Sequence, residues 1–342
     1  MNLADLNKIA NAMVAPGKGI LAADESSGTI KKRFDAIGVE STEDNRRDYR
    51  ELLFRSSEAM KKNISGVILY DETIWQKAKD GTPLVKLIEQ AGSIPGIKVD
   101  EGTQPLPGCP NELITVGLDK LAERLKKYYE QGARFAKWRA VIDIDTSNSM
   151  PSYAAIHTNA HALARYAALC QQAQIVPIVE PEVLMDGAHD IDTCYMVTEW
   201  VLKETFQELY YQKVALEGMI LKPNMAIAGK KSAKKSGVTE VAEKTVKLLK
   251  ECVPGAVPGI AFLSGGQSDE EATAHLDAMN KIGNLPWKLT FSYGRALQAA
   301  PQKAWAGKAA NVGAAQKAFS HRAAMNGLAS KGEWKQELEK AA

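Results

Sequence analysis

Short apolar runs, punctuated by glycine, proline or acidic residues, recur along the chain at about the spacing of one strand plus one helix. They are Gly19–Asp24, Gly66–Asp71, Gly96–Asp100, Phe135–Arg139, Ile175–Glu180, Gly218–Lys222, Gly259–Ser264 and Lys288–Ser292, eight in all. Between them lie segments whose apolar positions follow a helical period, such as Leu118 to Gln131, Ala160 to Ala173, Thr193 to Tyr211 and Thr239 to Cys252. Near-continuous apolar strands alternating with helices predict a parallel sheet covered by helices on its outer side. Eight such units favour a closed (β/α)8 barrel over an open doubly wound sheet. No Gly-x-Gly-x-x-Gly follows a strand and no Gly-x-x-x-x-Gly-Lys-Ser/Thr occurs, so nucleotide-binding folds lose their main support.

A helix is predicted before the first strand, over about Leu3 to Met13 in an extension of about residues 1–15. Helical segments are predicted after Arg295, in a region of about 300–342. No linker-like stretch divides the chain, so residues 1–342 read as one α/β barrel domain with helices added at both ends. Gly229–Gly237 reads as a mobile basic loop whose lysines attract anions weakly. The apolar helix stripes, Trp200 and Phe206 included, are assigned to the core.

Composition adds exclusions. Hydrophobic content of 45% and charged content of 25% match a soluble globular protein, and a net charge of +2 gives no general pull toward nucleic acid or an anionic membrane. No run approaches the roughly 18 apolar residues of a membrane helix. The N-terminus carries early charges and lacks the apolar core of a secretory signal. Cys109, Cys170, Cys194 and Cys252 form no Cys-x-x-Cys pair and read as reduced thiols, which points to the cytoplasm.

Nearly every apolar strand holds or ends on a charge: Asp24, Asp71 and Glu72, Lys98, Lys137 and Arg139, Glu180 and Glu182, Lys222, and Arg295 just beyond the eighth. Alternation puts Lys137 with Arg139, and Glu180 with Glu182, on common faces. In a barrel the C-terminal strand ends converge on one mouth. For any single residue, a solvated strand-end charge or a structural ion pair is the commoner explanation. Lysines in three separate apolar strands weaken it, because a buried ammonium is costly to desolvate. A lysine attacks a ketone only as the free amine, a form favoured by desolvation and by a neighbouring cation. Lys222 is the candidate nucleophile and Lys137 the neighbouring cation. An iminium on Lys222 can accept the electron pair of an adjacent carbon–carbon bond, with Glu180, Glu182 and Asp24 available for proton transfer.

The seventh run leads into Ser264-Gly265-Gly266-Gln267-Ser268, and Ser292-Tyr293-Gly294-Arg295 ends the eighth. Paired glycines expose backbone N–H groups, and loops after strands seven and eight commonly bind phosphate in such barrels. A plain tight turn explains Gly265-Gly266 equally well on spacing alone; Arg295 tips the balance. His157 and His161 have the spacing of a zinc helix but lack the Glu of His-Glu-x-x-His, and read as helix-surface polar residues. Asp186-Gly-Ala-His-Asp190 reads as a loop capping the next helix rather than a cation site.

Gly19-Ile-Leu-Ala-Ala-Asp-Glu-Ser26, Phe135-Ala-Lys-Trp-Arg139, Val176-Pro-Ile-Val-Glu-Pro-Glu182, Leu221-Lys-Pro-Asn224, Phe262-Leu-Ser-Gly-Gly-Gln-Ser268 and Thr290-Phe-Ser-Tyr-Gly-Arg-Ala-Leu297 resemble class I fructose-bisphosphate aldolases, in order from about residue 15 to residue 310. The resemblance implies that Lys222 forms the Schiff base, that Glu180 serves carbinolamine dehydration, and that Asp24 acts on the C4 hydroxyl. It makes Lys137 the polarising lysine and Glu182 the carboxylate that positions it. Ser264, Gly265 and Arg295, with Gly266, Ser292 and Gly294 on the same loops, match the C1-phosphate cradle. Ser26, Thr29, Arg46, Lys98 and Arg139 fall on positions linked to the sugar or distal phosphate.

The implied reaction is reversible cleavage of fructose 1,6-bisphosphate to dihydroxyacetone phosphate and glyceraldehyde 3-phosphate, in glycolysis and gluconeogenesis, by a homotetramer without metal or other cofactor. The partners so implied are sugar phosphates. One departure is the C-terminus: animal members end in a tyrosine that assists proton exchange, whereas the last tyrosine here is Tyr293 and the sequence closes on Ala341-Ala342. Trimming the final residues is therefore expected to matter less here. Rival readings are a Schiff-base aldolase or transaldolase for another phosphorylated ketose, and a non-catalytic phosphosugar-binding scaffold.

Overall fold

A computed structural model of the chain describes residues 1–340. Eight parallel strands form a closed barrel: β1 (Gly19–Ala23), β2 (Ile64–Leu69), β3 (Ile94–Lys98), β4 (Phe135–Ile142), β5 (Val176–Val183), β6 (Ile220–Leu221), β7 (Gly259–Phe262) and β8 (Lys288–Tyr293). Each strand pairs with its neighbour in sequence, and β8 closes on β1 with Ser292 opposite Ile20. The predicted barrel is present, with its eight strands where the apolar runs fall. The helices at Leu121–Gln131, Tyr153–Gln172, Ile191–Tyr211 and Val238–Cys252 follow the predicted segments.

The second and third strands begin two residues earlier than the glycines taken as their boundaries. The reason is packing inside the barrel. Phe135 points inward near its N-terminal end, and a Cβ on Gly66 would lie 2.8 Å from the ring; one on Gly96 would overlap it. These glycines are interior positions kept small for one aromatic side chain, not punctuation.

Ile20, Ala22, Ile68, Phe135, Val176, Ile178, Ile220 and Ala261 form an inner cluster together with Leu6, Ala10, Met13 and Val14. The N-terminal helix (Leu3–Met13), capped by the Asn2 side chain, thus plugs the end of the barrel opposite the charged strand ends. Burying side chains such as Leu6 and Met13 contributes about 2 kcal/mol each. The larger core lies between strands and outer helices.

Several features depart from the sequence reading. Trp200 is not core: it is 41% exposed and stacks on Tyr153 of the preceding helix, with ring centroids 6.3 Å apart, while Phe206 is half-buried against the core. The basic loop after β6 is not free. The backbone N–H groups of Gly229, Lys230 and Lys231 donate to His189, Met185 and Gly187. Between β3 and β4 an unanticipated two-stranded hairpin pairs Thr103–Pro105 with Leu113–Thr115. After β8 come helices at Arg295–Trp305 and Val312–Ala329 and a short turn at Gln336–Lys340, where the Trp334 indole donates to Glu339 at 3.0 Å. Ala341 and Ala342, where the sequence reading placed a tail without tyrosine, lie outside the described residues. The four cysteines are free thiols.

Candidate active site

The barrel delivers the strand-end charges to one mouth. Lys98 stands opposite Lys137 in register, and Arg139 stands opposite Glu180. Lys137 Nζ lies 2.7 Å from Asp24 Oδ2, 3.5 Å from Glu180 Oε2 and 4.0 Å from Asp100 Oδ2. Lys222 Nζ lies 3.2 Å from Glu180 Oε1. The side chains of Lys137, Lys222 and Glu180 are all buried.

β6 is only two residues long, yet Lys222 is held firmly. Its backbone N–H donates to the Val179 carbonyl at 2.8 Å, extending the ladder by one residue. Two residues on, Asn224 accepts from the Val183 N–H at 3.0 Å and donates to Thr198 at 3.0 Å, tying the strand exit to β5 and the helix behind it. Pro223 ends the strand without a donor.

Burial by itself would neutralise these groups, but they compensate one another. Desolvation would raise the Asp24 carboxyl, yet the ammonium groups of Lys137, Lys222 and Lys98 and the hydrogen bond from Lys137 hold it well below the usual carboxylate range. Desolvation likewise opposes the charged form of Lys137, but Asp24, Glu180 and Asp100 push it well above the ordinary lysine range. Lys137 is therefore a fixed cation. Glu180 Oε2 is buried without a hydrogen-bond partner among the described residues, an open acceptor within 3.5 Å of that cation.

Beside this cluster lies a cavity of about 520 Å³ lined by Ser26, Thr29, Lys98, Asp100, Arg124 and Arg139, among others. The Ser26 and Thr29 hydroxyls are 3.1 Å apart at the start of the helix Ser27–Asp35. Across the mouth, Ser264, Gly265 and Gly266 follow β7. Gly266 has φ +77°, and a Cβ there would also meet Met185 at 2.8 Å, so glycine is required twice over. Ser292 is buried with its hydroxyl unpaired among the described residues. Gly294 precedes the helix that begins at the exposed Arg295, whose side chain has no ion-pair partner among the described residues. The glycine turn and the helix start with its guanidinium thus follow two adjacent, paired strands, and both kinds of group suit an anion.

Two candidates are placed otherwise than the resemblance implied. Glu182 pairs with Arg139, not with Lys137, whose carboxylate partners are Asp24, Glu180 and Asp100. Alternation explains it: Glu182 lies one residue pair further along β5, level with the outer end of β4. Arg46 is absent from the cavity lining. It makes a two-pronged pair with Glu72, at 2.8 Å for Nε, and donates to the Ser41 carbonyl at 2.6 Å.

Three residues escaped the sequence reading. Asp100 accepts from Lys98 at 2.7 Å and from the Arg139 N–H at 3.2 Å. Its spacing of two from Lys98 puts it on the same strand face, a signal that could have been used. Arg33 shares buried Glu25 with Arg50, and its guanidinium lies close to Gly294. Asn224 acts only through its contacts, which no local pattern reveals.

His157 and His161 are helix-surface residues as the sequence reading expects, with side chains 42% and 44% exposed, and their Nδ1 atoms lie against Glu204 and Glu208 of the neighbouring helix. Asp190 caps the helix Ile191–Tyr211 by accepting from the Thr193 N–H at 2.8 Å, as the loop reading expects.

Comparison with known proteins agrees with this arrangement. The family model described as fructose-bisphosphate aldolase class-I matches residues 5–342. A probable fructose-bisphosphate aldolase class 1 of Xanthomonas campestris is 57% identical over 336 residues, covering 98% of this chain and 100% of that protein. A protein of Arabidopsis thaliana named fructose-bisphosphate aldolase 4, cytosolic, is 55% identical over 330 residues, covering 96% of this chain and 83% of its own. The fructose-bisphosphate aldolase of Plasmodium falciparum, solved in complex with TRAP and a small-molecule inhibitor, superposes with a TM-score of 0.95 at 50% identity, covering 97% of this chain and 96% of that one. With a full-length family match and a closed barrel whose mouth gathers the expected lysines and carboxylates, the chain belongs to the class-I fructose-bisphosphate aldolase family.

Proposed function

We propose that this lyase cleaves fructose 1,6-bisphosphate reversibly to dihydroxyacetone phosphate and glyceraldehyde 3-phosphate, through a Schiff base on Lys222. The observation that carries the reading is the buried Lys222 amine, 3.2 Å from Glu180 and sharing that carboxylate with the fixed cation Lys137.

The amine adds to the C2 carbonyl, and the carbinolamine loses water with Glu180 supplying and recovering the proton. Asp24, kept ionised by Lys137, accepts the proton of the C4 hydroxyl. The C3–C4 bond then breaks, and its electron pair moves into the iminium to give an enamine as the aldehyde departs. Protonation at C3 and hydrolysis release the ketone and restore the free amine. Ser264, Gly265, Gly266 and Arg295 take one phosphate; Lys98 and Arg139, with Ser26 and Thr29, supply donors for the other.

Borohydride added with dihydroxyacetone phosphate tests this directly. A reduced three-carbon adduct mapped to Lys222 is expected, with cleavage faster for fructose 1,6-bisphosphate than for fructose 1-phosphate. An unmodified Lys222, or turnover abolished by a chelator, overturns it.

The same reading makes the protein a cytoplasmic homotetramer of glycolysis and gluconeogenesis that needs no metal for turnover. Support comes from the Arabidopsis relative named cytosolic and from exposed Tyr153, Met196 and Trp200 on adjacent outer helices, an apolar face suited to self-association. No helix among the described residues is long and apolar enough to cross a membrane. Sedimentation velocity of the wild type and Trp200→Ser tests the assembly; unchanged mass in the variant removes this face from it.

A further inference from the structure

On the outer surface of the barrel, the helices Tyr153–Gln172 and Ile191–Tyr211 pack side by side. Both follow a barrel strand and run in the same direction, so a constant sequence offset of 47 matches positions across the contact. His157 meets Glu204, and His161 meets Glu208. Each pair repeats four residues on, which puts all four side chains along one seam. His157 Nδ1 lies 2.6 Å from Glu204 Oε1 and 3.6 Å from Glu208 Oε1, and His161 Nδ1 lies 2.8 Å from Glu208 Oε2.

The charge balance of this seam is unusual. The Glu208 side chain is 6% exposed and that of Glu204 17%, yet among the described residues their only ion-pair partners are the two imidazoles. No lysine or arginine among the described residues pairs with either carboxylate, so the two imidazoles are the groups that face them. The donor set of two imidazole nitrogens and two carboxylates is one that zinc and neighbouring divalent transition ions accept. Ligands about 2.1 Å from a tetrahedral ion lie roughly 3.4 Å apart. Nδ1 of His157 and the oxygens of Glu204 and Glu208 all fall within 4.8 Å of one another, so small side-chain rotations suffice for these three; His161, its ring centroid 6.5 Å from that of His157, adjoins the group through Glu208 and completes it only by turning toward His157. Tyr153 donates to Glu204 Oε1 at 3.4 Å and stacks on His157, which orients two of the ligands from outside.

We infer that His157, His161, Glu204 and Glu208 form a binding site for one divalent transition-metal ion, separate from the barrel mouth, which clamps the two helices together. None of the four touches the Lys222 cluster, so the ion takes no part in carbon–carbon cleavage.

Cobalt(II) and zinc(II) are the probes. Equilibrium dialysis of the full-length protein against cobalt(II) is expected to give one ion per chain, with visible d–d absorption displaced by zinc(II) and a raised Tm in zinc(II). His157→Asn is expected to weaken binding at least about 10-fold. His157→Asn with His161→Asn should abolish it, cleavage of the sugar phosphate being retained. Glu204→Gln serves as an independent variant that keeps side-chain volume. Absence of binding to the wild type, or cobalt(II) held equally by the folded double-histidine variant and by Glu204→Gln, overturns the assignment.

Discussion

Asp24 and Lys137 meet across the barrel mouth with 2.7 Å between Oδ2 and Nζ, each holding the other in its charged form. Lys222 shares the same neighbourhood, and among the described residues Glu180 is the one carboxylate it pairs with. Lys137 is thus a permanent cation, and Lys222 stands beside it on the shared Glu180 carboxylate.

The Asp24–Lys137 pair has a defined pH window. The Asp24 carboxyl is depressed on folding, so its contribution is present above the unfolded carboxylate pKa near 3.9 and is lost as pH falls toward the native value. The Lys137 ammonium is raised, so its contribution is present below about 10.4 and is lost as pH rises through the native value. Urea unfolding of the wild type against Asp24→Asn/Lys137→Met should give a stability gap that is flat from about pH 5 to pH 9 and changes only beyond those limits. A gap that changes steadily through neutrality contradicts the pairing.

Lys222→Met should lose the borohydride-trapped adduct and cut turnover on the order of 10⁴-fold or more, because the covalent route disappears while the rest of the site stays. Circular dichroism should match the wild type, since methionine nearly keeps the packing volume of this buried side chain.

Glu180→Gln should still form an adduct, slowly. Loss of a positioned acid–base group predicts a fall in kcat of about 10² to 10⁴-fold with a smaller change in KM. If the fall appears in KM alone, Glu180 binds substrate and does not move protons.

Arg295 and Arg46 should separate phosphate binding from structure. Arg295→Ala should lower kcat/KM by about 10 to 100-fold, the worth of charge-assisted hydrogen bonds to one phosphate. Arg46, engaged by Glu72 and the Ser41 carbonyl, should on replacement by alanine leave kcat/KM within about twofold and cost about 1 kcal/mol of stability in denaturant titration. The opposite ranking would return Arg46 to the substrate site.

Gly96→Ala should destabilise the barrel by about 1–3 kcal/mol, because the new methyl enters the space of Phe135. Adding Phe135→Leu should recover part of that loss, a non-additivity measurable in denaturant midpoints.

The periodicity of apolar runs carried the barrel, since each parallel strand buried on both faces must read as a continuous apolar stretch and each outer helix as a stripe. Charges inside such runs carried the site, because Lys137, Glu180 and Lys222 are costly to bury without a task. These are local signals, legible from neighbours in sequence.

Tertiary structure decided everything that depends on which strand stands beside which. Alternation put Glu182 on the right face, but only the register of β4 and β5 assigned it to Arg139 and left Lys137 to Asp24, Glu180 and Asp100. Gly66 and Gly96 looked like strand boundaries until an aromatic ring from β4 was seen to fill the space they leave. Trp200 looked like core because its helix is apolar, yet its stacking partner Tyr153 belongs to another helix. His157 and Glu204 are 47 residues apart in sequence and 2.6 Å apart in space. The physical reason is common to all: periodicity along the chain fixes which face a side chain occupies, whereas its charge and packing partners come from distant segments that only the closed barrel brings together.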